Sequence, residues 1–356
     1  MARPTLGDVA RRAGLSPAAV SLILNNRPSR LSAAASERAR KAAEELGYRP
    51  NMAARSLRTK SQTLGLVSDF ITTSGVGGQL IHGAIQQARE TGHVLLIAET
   101  EHDPEVSEAL PQLGRTPSGP ADERMAINTL LDRMPEGIIY AAIRSQSVTL
   151  PDEAKSVPVV LLNAASLCDP VCSVLPDEYS AGRASAQLLV DNGYRDRIAL
   201  IGSRRSRTRD SSVTPTVQRR IAGIFSVFDE NGIVLSAEQD CAVWDVPTGY
   251  ATARGLLESG VRFEVLLCLN DRLAFGAYQA LAEAGLHVPE QVSVLSFDDD
   301  PLATYLRPQL TTFALPFEEM GRLAVRLLLD PDAEKGEHLV PMPLRMRGSF
   351  RPKAPA

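Results

Sequence analysis

The chain has 356 residues, of which 44% are hydrophobic, so it is long enough for more than one globular core. It contains no run of about 18 apolar residues that could cross a membrane, and its first residues lack the basic-then-apolar pattern of a signal peptide, so a cytoplasmic protein without a membrane partner is expected. Of its four cysteines, the closest two, Cys168 and Cys172, are separated by three residues, and no second cysteine pair or His cluster stands at metal-binding spacing. Reduced thiols are therefore expected, with no metal and no cofactor.

Charge is distributed unevenly along the chain. Residues 1–61 carry twelve Lys and Arg against four Asp and Glu, a net charge of +8, whereas the remainder carries 26 basic and 38 acidic residues, a net charge of −12. A cationic first segment suits the neutralisation of nucleic-acid phosphates and predicts binding that weakens steeply as salt rises. An acidic remainder would be repelled by nucleic acid. The two parts therefore have different partners.

The first predicted elements are two short helices separated by a tight turn. Thr5 is the expected N-cap of the first helix, with Asp8 at the third helical position as an acidic variant of the capping box, and Gly14 ends this helix. Ser16 caps the second helix, which begins with Pro17. This pattern predicts a helix-turn-helix, although any capped, Ala-rich helix pair has similar features.

A third helix, from Ser32 to about Leu46 with Gly47 as its C-cap, completes a small all-α domain. The expected core consists of small apolar residues from the three helices: Val9, Ala10, Ala13, Val20, Leu24, Ala35, Ala39, Ala42, Ala43 and Leu46. The short polar side chains of Ser16, Ser21 and Asn25 suit phosphate oxygens. We expect Thr5 to contact DNA together with these three residues.

From Thr63 onward, short apolar runs alternate with amphipathic helical stretches. Strands are predicted at 64–67, 94–97, 137–140, 159–162, 198–201, 265–268 and 292–295, and helices at 79–91, 123–133, 218–231, 248–259 and 271–285. This alternation predicts two sets of parallel strands covered by helices, and therefore two lobes with ligands at the carboxyl ends of the strands. The pattern would equally suit a two-domain enzyme. Because the chain has no Walker loop, Gly-x-Ser-x-Gly elbow or His-Glu-x-x-His motif, an enzyme is not expected.

Motifs along essentially the whole chain carry a family resemblance. They are the pairs Val20-Ser21 and Leu24-Asn25, the segments Glu45–Asn51 and Ala54–Leu57, and the later segments Cys268–Ala277, Val292–Asp299 and Pro308–Thr312. Together they resemble the LacI family of bacterial transcription regulators. The resemblance implies a helix-turn-helix domain in residues 1–50, a hinge helix and linker in 51–61, and a bilobed α/β domain similar to periplasmic sugar-binding proteins in 62–356. The first lobe would comprise about 62–166 and 315–344, and the second about 167–314 and 345–352.

The implied hinge helix would fold where two copies meet over the minor groove, with Leu57 opening the central base step. An isolated helix of about eight residues is unstable in water, so its order would depend on DNA and on the partner chain. The DNA contacts implied here are Asn51, Ala54, Arg55, Leu57 and Arg58. A plain interdomain linker is the alternative.

The recognition helix departs from the family pattern. Larger polar residues are common at its start in the family, and an Arg often stands where this chain has Leu22, but here the exposed positions are Pro17, Ala18 and Leu22. Direct hydrogen bonds to bases are therefore expected to be sparse. Leu22 suits a thymine methyl group but cannot bind guanine, so specificity would depend on methyl contacts and on deformability at the Leu57 step.

The resemblance also implies an effector site. Six residues fall where relatives contact their effector: Asp69, Asn163, Arg220, Trp244, Asn270 and Asp298. Carboxylate, amide and guanidinium groups suit sugar hydroxyls, and a tryptophan ring suits the C–H face of a sugar. Trp244 could instead be a core aromatic residue, and Asn270 and Asp298 could cap strand ends.

Two segments have open interpretations. Residues 102–122 read as a long loop that is either a lid or disordered, and the Arg-rich segment 203–212 is either a solvated loop or a site that recruits an anionic effector such as a sugar phosphate.

No heptads follow Phe350, so a homodimer is expected. The sequence thus predicts a homodimeric, sugar-responsive repressor that binds a near-palindromic operator. A carbohydrate-binding receptor without a DNA function is the alternative.

Overall fold

The computed structural model of the protein describes residues 4–24, 31–46, 48, 62–69, 77–100, 120–203, 215–241 and 243–353. The chain divides into two compact units, Met1–Gln62 and Thr63–Ala356. Several predicted sites lie outside the described residues, namely Asn25, Asn51, Ala54, Arg55, Leu57 and Arg58, together with most of the segments 102–122 and 203–212. These assignments stay predictions.

Three helices form the described part of the first unit: α1 (Leu6–Ala13), α2 (Pro17–Leu24) and α3 (Ala33–Glu45). The predicted capping box is confirmed, because the Thr5 amide donates to Asp8 Oδ2 at 2.9 Å and the Asp8 amide donates to Thr5 Oγ1 at 3.3 Å. Gly14, with φ of 64°, ends α1 in the left-handed conformation that favours glycine. The Ser16 hydroxyl accepts from the Ala19 amide at 3.2 Å and caps α2, as predicted.

Small apolar side chains fill the core between these helices. The buried residues are Val9, Ala10, Ala13, Val20, Ile23, Ala39, Ala42 and Ala43. Ile23, which is absent from the predicted core, is buried, whereas the predicted core residue Leu24 is only half-buried. The C-cap of α3 is Leu46 rather than Gly47, which lies outside the described residues.

The second unit alternates strands and helices. In chain order it contains β1 (Thr63–Ser68), α4 (Gly77–Glu90), β2 (Val94–Glu99), α5 (Pro120–Leu131), β3 (Ile138–Val148), a 3-10 turn (Asp152–Ser156), β4 (Val159–Ser166), β5 (Cys172–Pro176), α6 (Glu178–Asp191), β6 (Ile198–Ile201), α7 (Pro215–Glu230), β7 (Ala237–Gln239), α8 (Val246–Glu258), β8 (Val265–Cys268), α9 (Asp271–Glu283), β9 (Ser293–Asp298), α10 (Leu302–Tyr305), β10 (Thr311–Ala314), α11 (Phe317–Leu329), β11 (Gly336–Val340) and β12 (Leu344–Arg345).

The strands form two sheets, as the alternation predicted. The first has the order β11-β5-β4-β3-β1-β2 and the second β12-β10-β9-β8-β6-β7. Among the described strands, only the β10–β12 pair is antiparallel. Helices cover both faces of each sheet, which explains why central strands such as β6 and β8 are buried along their whole length and apolar at nearly every position.

The chain passes from one sheet to the other three times, after β5, β10 and β11. The predicted boundary at residue 167 is therefore too early, because Cys172–Pro176 pairs with both β4 and β11 in the first sheet. This strand reads Cys-Ser-Val-Leu-Pro, and its serine and proline interrupt the apolar run that would indicate a buried strand. α5 begins at Pro120, inside the segment predicted to be a loop.

None of the helices that the structure describes is long and apolar enough to cross a bilayer.

Candidate functional site

The exposed face of α2 carries the residues predicted to contact DNA. Ser16, Pro17 and Ala18 are exposed and Leu22 is 36% exposed, whereas Val20 and Ile23 on the opposite side are buried in the core. Ser21 is half-buried at the edge of this face, and Thr5 is exposed at the start of α1. The first unit therefore presents a small, mostly uncharged surface on its second helix.

In the first lobe, Asp69 and Asn163 come together on the backbone of β3. The Ile143 amide donates to Asp69 Oδ1 at 2.9 Å, and Asn163 Nδ2 donates to the carbonyls of Ala142 and Ile143 at 2.9 and 3.2 Å. β3 is irregular here, since its pairing with β4 shifts register between Ala141 and Gln146. Both side chains stabilise this bulge, which lies within β3 beside the carboxyl end of β1.

Asn163 has a φ of 56°, a left-handed conformation that asparagine tolerates better than most residues. The side chain is 3% exposed, so its amide must find partners within the protein. This geometry explains why asparagine suits the position even without a ligand.

In the second lobe, Asn270 and Trp244 lie side by side. Asn270 caps α9, because its Oδ1 accepts from the Leu273 amide at 2.9 Å, and its Nδ2 donates to the Trp244 carbonyl at 3.2 Å. The capping interpretation of Asn270 is thus confirmed. Trp244 is half-buried and packs against both hydrophobic cores of this lobe. It is therefore partly a core residue.

Arg220 lies at the centre of a buried ionic cluster. Its Nε and Nη2 donate to the two carboxylate oxygens of Glu178 at 2.6 and 2.7 Å, and Nη2 also donates to Asp298 Oδ1 at 3.2 Å. Nη1 donates to the Leu269 carbonyl. The guanidinium lies 4.5 Å from the centre of the Phe297 ring. Charge-assisted bonds of this bidentate kind are the strongest that side chains form, so the guanidinium is held firmly.

Burial raises the pKa of Asp298 to about 6, since Arg220 only partly offsets the loss of water and the nearby Glu178 charge. Burial also raises the pKa of Asp271 well above its usual value, although that carboxylate accepts from the Asp300 amide and the Thr312 hydroxyl, both at 2.8 Å. The carboxyl ends of β8 and β9 are therefore rich in hydrogen-bond acceptors.

Glu178 was not predicted, although it begins α6 two residues after the end of β5. The Asp177-Glu178 pair after an apolar run indicates a helix start, but nothing local indicates a partner 42 residues away. Next to the Arg220–Glu178 ion pair, a second ion pair links the two lobes. Arg219 donates to Glu337 of β11 through two hydrogen bonds of 2.8 and 2.7 Å. The sequence thus identified Arg220 and its partner Asp298 but not Glu178, the carboxylate that binds Arg220 through two hydrogen bonds.

The capped three-helix unit and the bilobed unit with polar side chains at its strand ends define a DNA-binding regulator with a ligand-binding domain. Residues 5–51 match bacterial regulatory proteins of the lacI family, and residues 186–350 match the periplasmic binding protein-like domain. The chain is 34% identical over 334 residues to the HTH-type transcriptional regulator AscG of Escherichia coli (strain K12), covering 91% of this chain and 92% of that protein. It belongs to the LacI family of bacterial transcription regulators.

Two further relatives are similar over nearly the full length. The sucrose operon repressor of Escherichia coli is 29% identical over 355 residues, covering 97% of this chain and 99% of that protein. The crystal structure of the lac repressor dimer bound to operator and the anti-inducer ONPF superposes with a TM-score of 0.77 at 26% identity, covering 98% of this chain and 99% of that chain.

Proposed function

We propose that the protein is a transcriptional repressor, not an enzyme, that binds operator DNA as a homodimer in the cytoplasm, and that a sugar or sugar derivative controls this binding. The names of the relatives support it, since they include sucrose and ribose operon repressors and a lac repressor dimer bound to operator. The observation that carries the proposal is the polar cluster at the carboxyl ends of β8 and β9, where Arg220, Asn270 and Asp298 lie close to a half-buried tryptophan. Such strand ends are where open α/β sheets bind ligands.

The proposed mechanism couples two movements. An effector held between Asp298 and Asn270 of one lobe and Asp69 and Asn163 of the other would favour one arrangement of the lobes over another. A hinge helix in 51–61 that orders only on DNA would respond to that arrangement, because its few hydrogen bonds do not offset the cost of helix nucleation. Effector binding and operator binding would then be linked through a common equilibrium.

A receptor that binds carbohydrate without contacting DNA is the competing function. The lacI-family match over residues 5–51, the confirmed caps of α1 and α2 and the charge of +8 on residues 1–61 all favour the repressor. A gel shift with the DNA upstream of the gene, at graded salt and with competitor DNA, tests the choice. A repressor retains a shifted band above competitor, and loss of that band at every salt concentration would exclude it.

The single tryptophan provides a direct test of the effector site. We expect Trp244 emission to change in intensity or wavelength when a cognate sugar is titrated, because Trp244 is half-buried and its backbone carbonyl accepts from Asn270 of the proposed site. Sucrose and ribose are the first sugars to try, given the names of the relatives. Unchanged emission alongside binding seen by calorimetry would remove Trp244 from the site.

Leu22 provides a test of the DNA-binding surface. We expect Leu22→Arg to create a preference of about tenfold or more for operators with a guanine at the contacted position, since a bidentate arginine contact is worth about 1–3 kcal/mol. Selection from a randomised operator library measures the preference. Ala34→Arg adds the same charge at an exposed position of α3 and is the control, expected to leave the preference unchanged. An unchanged preference in Leu22→Arg would contradict this placement of α2.

A further inference from the structure

The donors of Arg220 are already engaged within the protein. A guanidinium carries five N–H groups, and the bonds to Glu178, Asp298 and the Leu269 carbonyl use four of them. The side chains of Arg220 and Glu178 are 3% and 4% exposed. An arginine held in this way cannot present its planar edge to a carboxylate or phosphate of a ligand, which is the interaction that arginine usually provides.

The charge around Arg220 has the opposite sign from what an anionic ligand requires. One guanidinium faces the carboxyl groups of Glu178 and Asp298, and Asp271 lies behind Asp298, near enough for the Asp298 charge to raise its pKa. On the first lobe, the predicted effector residue Asp69 contributes another carboxyl group. Among the described residues the site is therefore rich in acceptors. Acceptors suit the hydroxyl groups of an uncharged ligand and oppose an anion.

Glu178 is held in place by the backbone. It begins α6, which packs against α7 at two glycines, Gly182 and Gly223. A Cβ on Gly182 would lie 2.2 Å from the Arg220 carbonyl oxygen, so the helices touch directly beneath the ion pair. The close approach keeps the carboxylate and the guanidinium in register, and the pair cannot open by rotation of an exposed side chain.

We propose that Glu178 is a specificity-determining residue of the effector site: by occupying Arg220 it makes the site select uncharged ligands and exclude phosphorylated or carboxylated sugars. The inference rests on the proposed effector function and adds the selection against anions. It also opposes the interpretation in which an arginine-rich segment recruits a sugar phosphate. An anion would have to displace Glu178 from Arg220 or lie against two carboxylates.

The test is Glu178→Gln, which keeps the side-chain size and removes one negative charge. Calorimetry measures binding of sucrose, ribose and glucose, and of ribose 5-phosphate, glucose 6-phosphate and glucuronate. We expect the native protein to bind an uncharged sugar and none of the anions. The variant should shift the ratio of anion to neutral-sugar affinity by at least tenfold toward the anion.

The matched control is Glu230→Gln. Glu230 forms the same kind of bidentate pair with Arg183 between the same two helices, at 2.7 and 3.0 Å, but on the exposed side. A purely structural role for Glu178 would lower the melting temperature and weaken both ligand classes alike, without changing their ratio. An unchanged ratio in Glu178→Gln, or binding of any of the anions by the native protein, would overturn the inference.

Inorganic phosphate provides a readout that needs no cognate sugar. We expect phosphate to raise the melting temperature of Glu178→Gln but not of the native protein or of Glu230→Gln, and this effect should vanish in Glu178→Gln/Arg220→Gln. If no sugar binds the native protein, the sugar effector of the proposed function fails, while the phosphate comparison still decides the role of Glu178. If Glu178→Gln does not fold, Glu178→Asn replaces it in both measurements.

Discussion

Replacing Gly182 with alanine is expected to destabilise the bilobed unit by about 3 kcal/mol or more and to abolish effector binding. The added Cβ would lie 2.2 Å from the Arg220 carbonyl oxygen and 3.1 Å from the Ile224 amide nitrogen. Both atoms belong to the backbone of α7, so no side chain can rotate to make room. α6 would have to move away from α7, and Glu178, one helical turn before Gly182, would move with it.

Chemical denaturation and calorimetry with an effector sugar measure the two effects. Gly255→Ala is the control, because Gly255 also lies within a helix, α8, yet its added Cβ would have no neighbour within 4 Å. That control should be more stable than the native protein by about 0.5–1 kcal/mol, since alanine favours helix. A Gly182→Ala protein with native stability and native affinity would show that the helices separate at little cost.

The sequence predicted most of the second unit because its central strands are buried on both faces. The runs predicted at 198–201 and 265–268 coincide with β6 and β8. β7 is polar and mostly exposed and β10 begins with two threonines, so neither forms an apolar run, and both pair with neighbours distant in sequence. Periodicity in the sequence cannot reveal such pairing.

The sequence placed the site residues but not their interactions. Arg220 and Asp298 were assigned to one site and do form an ion pair, 78 residues apart. What it could not reveal is that Glu178 holds the same guanidinium, because this contact depends on how closely α6 and α7 approach at Gly182. The charge on a binding site is the sum over residues that only the fold brings together.

Asn163 and Asn270 illustrate a related limit. Both were predicted to bind the effector, and both use their amides within the protein, Asn163 on the β3 backbone and Asn270 as the cap of α9. A polar side chain that bonds to the backbone of a neighbouring strand or of the helix that follows it stabilises the fold whether or not a ligand binds. Position alone therefore cannot separate the two roles, and their contacts with an effector stay a prediction.

Arg220→Met is expected to cost about 3–5 kcal/mol of stability at neutral pH, because it leaves the buried Glu178 carboxylate and the half-buried Asp298 carboxylate without a counter-ion. Burial already raises the pKa of Asp298 to about 6, and loss of the guanidinium removes the charge that opposes this rise. A carboxyl group whose pKa is higher in the folded state than in the unfolded state loses stability as pH rises through the folded value. The variant should therefore lose less stability at pH 5 than at pH 7.5.

A second substitution separates the unpaired charge from the lost packing. Arg220→Met/Glu178→Gln removes one of the two carboxylates that Arg220→Met leaves without a counter-ion. We therefore expect the double variant to be more stable than Arg220→Met at pH 7.5, although it carries more changes. Denaturation at both pH values measures the difference. Arg183→Met breaks the exposed pair with Glu230 and should change stability far less, with little dependence on pH. If the double variant were no more stable than Arg220→Met, the guanidinium would matter for its contacts with Phe297 and the Leu269 carbonyl rather than for its charge.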